Sequence, residues 1–254
     1  MKKHTFAFYK KDISVLLVGK KIGSICSFKD TEFYNRLIRV VRIHADDCFI
    51  LFDEKVHATI SVHEDMINKK RFIIGTIVDV KQNKKLIPEV TLAVGLLKKD
   101  AWEQVVYFAA QMGATRLIPI LSEKVQRSFD AQKEFERLQK IMISACEQSK
   151  NFVFPEISEQ QNLSDFLNQT NKDCVKRICF DEHADSFFNV LDDLHKKKYG
   201  EIVLLIGCEG GFSESEIQQI KSMQFSFTSL TPTILRSVEA VAVGLGVVRS
   251  VCAE

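Results

Sequence analysis

Two textures of apolar and polar residues divide this chain. Between Phe6 and Val80 the apolar positions fall in short runs at 22–28, 48–52, 56–60 and 72–80. These runs are rich in β-branched and aromatic residues, which predicts strands. A short helix is expected over 30–40, and Asp53-Glu54 reads as a hairpin turn between two of the strands. Together they predict a small β-barrel. The polar stretch Lys81-Gln-Asn-Lys-Lys85, with Pro88 behind it, marks a boundary. We therefore place one domain at 1–80 and a second at 81–254.

Beyond Pro88 the pattern alternates. Residues 90–97 are continuously apolar, as a strand covered on both faces should be. A helix is expected over 101–112, stopped by Gly113. A strand follows at 117–121, in which Pro119 requires an edge or a bulge. Ser128 or Asp130 starts a long helix whose apolar face is Phe135, Leu138, Ile141, Met142 and Ala145. Next come a strand at 178–180 and a helix capped by Asp185 or Ser186, with Phe187, Val190, Leu191 and Leu194 on one side. Residues 201–206 form the clearest strand of all. Strands alternating with helices predict a parallel α/β sheet. Ligands of such sheets bind at the carboxyl ends of the strands.

Composition narrows the class. Of 254 residues, 46% are hydrophobic and 27% charged, which excludes disordered, collagenous and coiled-coil chains. No apolar run reaches the ~18 residues of a membrane span; the best candidate, 238–251, is short and carries Glu239 and Arg249. The start, Met1-Lys2-Lys3-His4, is charged but leads into no apolar run of the signal-peptide kind. Seven scattered cysteines with no C-x-x-C pair suggest reduced thiols in a cytoplasmic protein and no metal site. The net charge of +2 hides an asymmetry. Residues 1–88 hold 17 Lys+Arg against 10 Asp+Glu, and residues 89–254 hold 18 against 23. The basic part is either a phosphate-contacting module or a solvated basic face.

Candidate chemistry gathers at the carboxyl end of the 201–206 strand, Ile206-Gly-Cys-Glu-Gly-Gly-Phe-Ser-Glu-Ser-Glu-Ile217. Gly207, Gly210 and Gly211 permit close backbone approach and positive φ. Ser213 and Glu216 form a capping box, with Phe212 and Ile217 as its hydrophobic staple. A helix thus starts at Ser213 with its positive end toward the turn. This is either a ligand loop or a tight strand-to-helix turn. The glycines, spaced G-x-x-G-G, match neither the dinucleotide fingerprint nor the P-loop. Cys208 stands where a nucleophile elbow would place its nucleophile, but Ile206 fills the first glycine position of that motif.

This loop, followed by Leu230-Thr-Pro-Thr-Ile-Leu-Arg-Ser-Val-Glu-Ala240, resembles the RsmE family of 16S ribosomal RNA uridine-N3 methyltransferases, members of the SPOUT class. Two further blocks agree: residues 103–120 with Ser122-Glu-Lys124, and Ala145-Cys-Glu-Gln-Ser149 with Val153-Phe-Pro-Glu156. The blocks keep family order across about 150 residues. Departures are Cys208 for proline, Thr231 and Thr233 for glycine and arginine, Val238-Glu239 for Glu-Thr, Tyr107-Phe108 for Gln-Lys, and Lys124 and Asn151 for arginines.

The resemblance implies a SPOUT α/β domain with a C-terminal trefoil knot, preceded by a PUA-like RNA-binding barrel. It implies S-adenosylmethionine (SAM) as cofactor, held by Leu205, Ile206, Gly207, Glu209, Gly210, Gly211, Leu230, Ile234, Leu235 and Ser237. It implies 16S rRNA of the small ribosomal subunit as substrate and a homodimer built in part on the 238–251 segment. Charge that develops on the uracil carbonyls as N3 loses its proton makes Arg236 the electrostatic candidate. Glu209 is the second catalytic candidate. The competing roles are a surface salt bridge of Arg236 with Glu239 and a helix N-terminal charge interaction for Glu209. Two alternatives remain: the same fold acting on another RNA uridine, and an inactive ribosome-binding homologue.

Overall fold

The computed structural model describes residues 5–63, 72–170 and 174–252; the charged start Met1–His4 lies outside them. The chain forms two compact units, Met1–Lys84 and Lys85–Glu254.

The first unit contains β1 (Phe6–Tyr9), α1 (Ile13–Leu16), β2 (Ile25–Phe28), α2 (Thr31–Asn35), β3 (Cys48–Phe52), β4 (Val56–Val62) and β5 (Ile73–Gln82). Its strands pair in the order β1-β3-β4-β5-β2. Alternation along β4 places Val56, Ala58, Ile60 and Val62 inward, the period-2 signature of a half-covered strand. Phe8, Phe33 and Phe49 meet edge to face, with centroids 5.5–6.2 Å apart.

Several expectations change in detail. Strand β1 was not anticipated: it is four residues long and is held by parallel pairing with β3, from Phe6↔Phe49 to Tyr9↔Phe52. The 22–28 run is a strand only from Ile25. Strand β5 continues to Gln82, two residues beyond the boundary drawn at Val80. Asp30 caps the 30–40 helix by accepting from Phe33 N, but its second half, Arg36–Val41, is wound as a π-helix. The turn at Asp53 does more than reverse the chain. Its carboxylate accepts from the backbone N of Ser14, Lys55 and Val56 at 2.7–2.9 Å. Burial opposes ionisation there, yet these donors hold the carboxyl below its usual range.

The second unit contains β6 (Glu89–Gly95), α3 (Lys99–Gln111), β7 (Arg116–Leu121), α4 (Ala131–Ser149), β8 (Glu156–Ile157), β9 (Gln161–Asn162), α5 (Leu163–Gln169), β10 (Val175–Phe180), α6 (Phe188–Lys196), β11 (Glu201–Ile206), α7 (Glu214–Ser222), β12 (Ser226–Thr228) and α8 (Ser237–Cys252). All pairs are parallel, in the order β12-β10-β11-β6-β7-β8, with β9 also on β7. Central β6 and β11 are buried almost throughout, which explains their unbroken apolar sequences.

Pro119 sits in an interior strand, not at an edge. Ile120 O accepts from Leu96 N on the β6 side, so alternation turns the Pro119 nitrogen the other way. On that side the partner is interrupted between β8, opposite Arg116–Leu117, and β9, opposite Ile120–Leu121. The missing N–H therefore breaks no ladder bond. Phe135, expected on the apolar face of α4, is 55% exposed, whereas Leu138, Met142 and Ala145 are buried. The expected cap of α6 fails at Asp185 and is met only by a long bond at Ser186, whose Oγ accepts from Phe188 N at 3.5 Å. The N-cap of α6 is Phe187, without a side-chain bond. Asp185 O instead accepts from Ser229 N, and Ser186 bridges to Ser229. Strands β8, β9 and β12 and helix α5 were not foreseen; the three strands have only two or three residues each, too few to carry a period.

No helix among the described residues is long and apolar enough to cross a membrane. All seven cysteines are free thiols. Burial pushes Cys146 up to about 12 and Cys179 well above the ordinary thiol range, so neither is a thiolate at neutral pH.

Candidate functional site

Strand β11 ends at Ile206, and the chain then reverses at once. Gly211 N donates to Cys208 O at 2.9 Å, and Gly211 has φ +67°, a left-handed conformation that favours glycine. Glycine is needed at 207 for a different reason: a Cβ there would stand 3.0 Å from Gly211 Cα. The capping box is present as expected. Glu216 N donates to Ser213 Oγ at 3.2 Å, and Ser213 N donates to Glu216 Oε2 at 2.8 Å. Helix α7 thus starts with its free N–H groups and positive end beside the turn.

Neighbouring strands hold this turn. Gly95, the last residue of β6, lies so close that a Cβ would collide with Cys208 N and stand 3.0 Å from Gly207 C. Lys98 N donates to Glu209 Oε1 at 3.2 Å. From the far side, Ser237 Oγ at the start of α8 donates to Gly207 O at 2.9 Å.

Across the opening runs the segment 229–236, from β12 to α8. Ser229 N donates to Asp185 O at 2.7 Å, and Thr231 Oγ1 donates to Thr233 O at 2.6 Å. Between the glycine turn, this segment and the end of β10 lies a cavity of about 660 Å³. Peptide groups of 207–211 form one side. Ile206, Phe212, Leu230, Leu235 and Ala240 supply apolar surface, and Arg236 faces the same space. Small residues behind the cavity let α8 pack closely: a Cβ on Gly244 would stand 2.5 Å from the Phe180 ring.

The structure gathers most of the candidate residues in this one place. Ile206, Gly207, Glu209, Gly210, Gly211, Leu230, Ile234, Leu235, Arg236 and Ser237 all line the cavity. Leu205 does not. Its side chain is wholly buried in the core with Ala93, Ile118 and Val203, because alternation along β11 turns it to the other face of the sheet from Leu204 and Ile206. Ile234 is 76% exposed, at the rim. The suggested ion pair of Arg236 with Glu239 does not form. Among the described residues the Arg236 guanidinium makes no ion pair, and its backbone O accepts from Ala240 N as the first turn of α8. Glu209 is exposed and accepts from the backbone N of Lys98, the N-cap residue of α3, so it stands at a helix N-terminus as its competing role foresaw. Cys208 is buried; its thiol lies 3.7 Å from Gly211 O and 4.0 Å from Ser122 Oγ, and no histidine bonds it among the described residues. That removes the cysteine-nucleophile alternative.

Sequence reasoning missed the residues that fasten the turn from outside, Gly95, Lys98 and Lys124. Gly95 closing an otherwise apolar strand was the available signal, since a strand glycine marks close backbone approach.

A parallel α/β sheet whose central strand ends in a capped glycine turn over a cavity defines the class, and the chain's relatives agree with it. Residues 83–249 match the family model described as an RNA methyltransferase domain. The chain belongs to that RNA methyltransferase family and, within it, to the ribosomal RNA small subunit methyltransferase E group. It is 31% identical over 160 residues to ribosomal RNA small subunit methyltransferase E of Mesomycoplasma hyopneumoniae, covering 62% of this chain and 68% of that one. It is 26% identical over 232 residues to the Bacillus subtilis protein of that name, covering 87% and 89%. In fold it is similar to the crystal structure of a ribosomal RNA small subunit methyltransferase E from Neisseria gonorrhoeae bound to S-adenosyl methionine. There the TM-score is 0.73 at 21% identity, covering 97% of this chain and 98% of that one.

Proposed function

We propose that this chain transfers the methyl group of SAM to N3 of a uridine in 16S ribosomal RNA. The observation that carries the reading is the cavity at the end of β11, where a glycine turn, the 229–236 segment and the start of α8 converge in a chain of this family. The residues present fit the cofactor. The turn offers peptide groups without side chains at 207, 210 and 211, and Leu230 and Leu235 supply apolar surface for a purine. When bound, SAM supplies an electrophilic methyl on its sulfonium.

The chain's own part is positioning and electrostatics. Arg236, with no carboxylate partner, holds its charge in the cavity, where it stabilises the negative charge on uracil O2 and O4 as N3 gives its proton to solvent. Glu209, tied to Lys98 N, anchors the turn or the ribose. Ser237 fixes Gly207 O and so the distance between the two sides of the cavity. The crossing of the 206–213 and 229–237 segments forms the trefoil knot of the SPOUT class. The five-stranded first unit is the PUA-like barrel, and its basic surface contacts RNA phosphates. Its contribution to RNA affinity therefore falls steeply with salt, through counterion release.

We further infer a cytoplasmic homodimer. In α8, Val238, Val241, Leu245 and Val248 are buried in the core, while Ala242, Val243 and Val247 stay half-buried on an adjoining face. A second copy covers that face. Light scattering at micromolar concentration is expected to return twice the chain mass; a monomer mass contradicts the dimer. The decisive test of function is nucleoside mass spectrometry of 16S rRNA from cells with and without the gene. Loss of N3-methyluridine supports the reading, and an unchanged nucleoside profile overturns it.

A further inference from the structure

Residues 122–124 follow β7 and lie more than 80 positions before the glycine turn, yet the fold fastens the two together. Lys124 Nζ donates to Gly210 O at 2.8 Å and to Phe212 O at 3.1 Å. Glu123 N donates to Glu216 Oε1 at 2.8 Å, and Ser215 Oγ donates to Glu123 Oε1 at 2.9 Å. Glu216 is buried and also serves the Ser213 capping box. One loop is therefore bonded to both the turn and the helix that follows it.

The lysine holds a specific place in this arrangement. Gly210 O and Phe212 O flank Gly211, the residue whose positive φ defines the turn. An ammonium shared by these two carbonyls spans that residue, through charge-assisted bonds. The lysine stem packs on the turn as well: a Cβ on Gly210 would stand 3.2 Å from Lys124 Cδ and 3.3 Å from its Cβ. Among the described residues no carboxylate pairs with the ammonium, so its hydrogen bonds go to the turn alone. Lys124 also separates two spaces. It lines the cavity described above and a second one of about 660 Å³, bounded by Leu96, Lys98, Val125 and Arg127.

We propose that Lys124 is a positioning residue, which sets the glycine turn in its SAM-binding shape by holding the carbonyls of Gly210 and Phe212. This rests on the reading that SAM binds in the cavity beside that turn. Lys124 acts through the loop and does not touch the methyl group or the target base. Arginine at this position keeps a stem and several N–H donors, which can serve two carbonyls at once. Methionine keeps the stem and loses every donor.

The test uses the full chain and its K124M and K124R variants. Three quantities are measured: SAM affinity by calorimetry, amide hydrogen exchange over 207–213 without ligand, and Tm. We expect K124M to weaken SAM binding about 10-fold, as loss of a charge-assisted bond pair implies. It should also speed exchange over 207–213 and leave Tm nearly unchanged. K124R should recover most of the affinity and protection. K124M that binds SAM like the parent with unchanged exchange overturns the proposal. So does a loss that K124R does not recover or that a lowered Tm accompanies. If the parent chain itself fails to bind SAM, the cofactor reading falls, while the exchange comparison still decides whether Lys124 orders the turn.

Discussion

The two sides of the cavity at the end of β11 are built in opposite ways. The glycine turn is held from β6, from the loop after β7, from the start of α8 and from its own capping box, through Gly95, Lys124, Ser237 and Glu216. The segment across from it is held mainly at its ends, by Ser229 on Asp185 and by α8, with bonds inside it between Thr231 and Thr233. The first side presents backbone in a shape fixed by glycines. The second presents side chains, among them Arg236 and the exposed Ile234. A site that must recognise a cofactor and also act on a polymer benefits from this division. On the proposed function, fixed peptide dipoles would select the ligand at no cost in reorganisation, and the more open side would admit a substrate and bring a charge to it. The substitutions below separate the two sides.

The largest effect is expected on the open side. Arg236→Ala should lower turnover by roughly 10² to 10³, or ~3–4 kcal/mol, the usual cost of one preorganised donor at a developing anion. Single-turnover kinetics should place the loss in the methyl-transfer step, with SAM affinity in calorimetry unchanged. A loss of SAM affinity instead would make Arg236 part of the fixed side.

Gly95→Ala attacks the fixed side from beneath. The new methyl meets the backbone of Cys208 and Gly207, which cannot swing away as a side chain can. We expect destabilisation of about 3 kcal/mol, the upper part of the overpacking range, read from urea midpoints, together with weakened SAM binding. A variant with parental stability and affinity would mean that the turn is more pliable than its contacts imply.

A third substitution tests whether fold stability and site shape are separable. Asp193 on α6 accepts from Lys176 and Tyr199 at 2.7 Å and pairs with Lys197 at 2.9 Å. These partners, Lys176 foremost, hold its carboxyl well below the usual range. A depressed carboxylate stabilises the fold above its unfolded-state pKa, near 3.9, and that contribution fades as pH falls through the lower folded-state value. Asp193→Asn should therefore cost about 1 kcal/mol at pH 7, allowing for solvent screening. The gap from the parent should close in acid below the unfolded-state pKa. Lys176 lies near the amino end of the sheet, paired with Ile202, so SAM affinity should not move.

The smallest effect is expected at Ser237. Ser237→Ala removes the one side-chain bond from α8 to Gly207 O, worth about 1 kcal/mol or less. SAM affinity should fall by a factor of a few, with turnover at saturating cofactor unchanged. A larger fall in turnover than in affinity would mean that this bond sets the distance between the two sides during reaction.

Local signals made much of this site legible in advance. A buried parallel strand is apolar along its length, so β6 and β11 could be read directly. A capping box is a matter of residues three apart, so Ser213 and Glu216 marked the start of α7. The glycine cluster at 207, 210 and 211 marked the turn, which requires glycine at 207 for close approach and at 211 for its positive φ. Those features depend on neighbours in the chain, and a neighbour's identity is written in the sequence. The resemblance to known blocks then joined the turn to 230–237.

Tertiary structure decided what joins distant segments. That β6 lies beside β11, more than a hundred residues away, is a matter of sheet order. Only that order places Gly95 under Cys208 and brings Lys98 to Glu209. Lys124 stood in the sequence only as a replacement for the family's arginine, and its role depends on the loop after β7 folding over the turn after β11. Likewise Phe135 had the helical spacing of a core residue, but the packing of α4 left it outside. Strands as short as β1 and β12 exist because a partner offers them a ladder, not because four or three residues favour extension. Propensity and period act over a few residues. Packing acts across the whole sheet, and here it converts a glycine turn into a cavity with one fixed side and one open side.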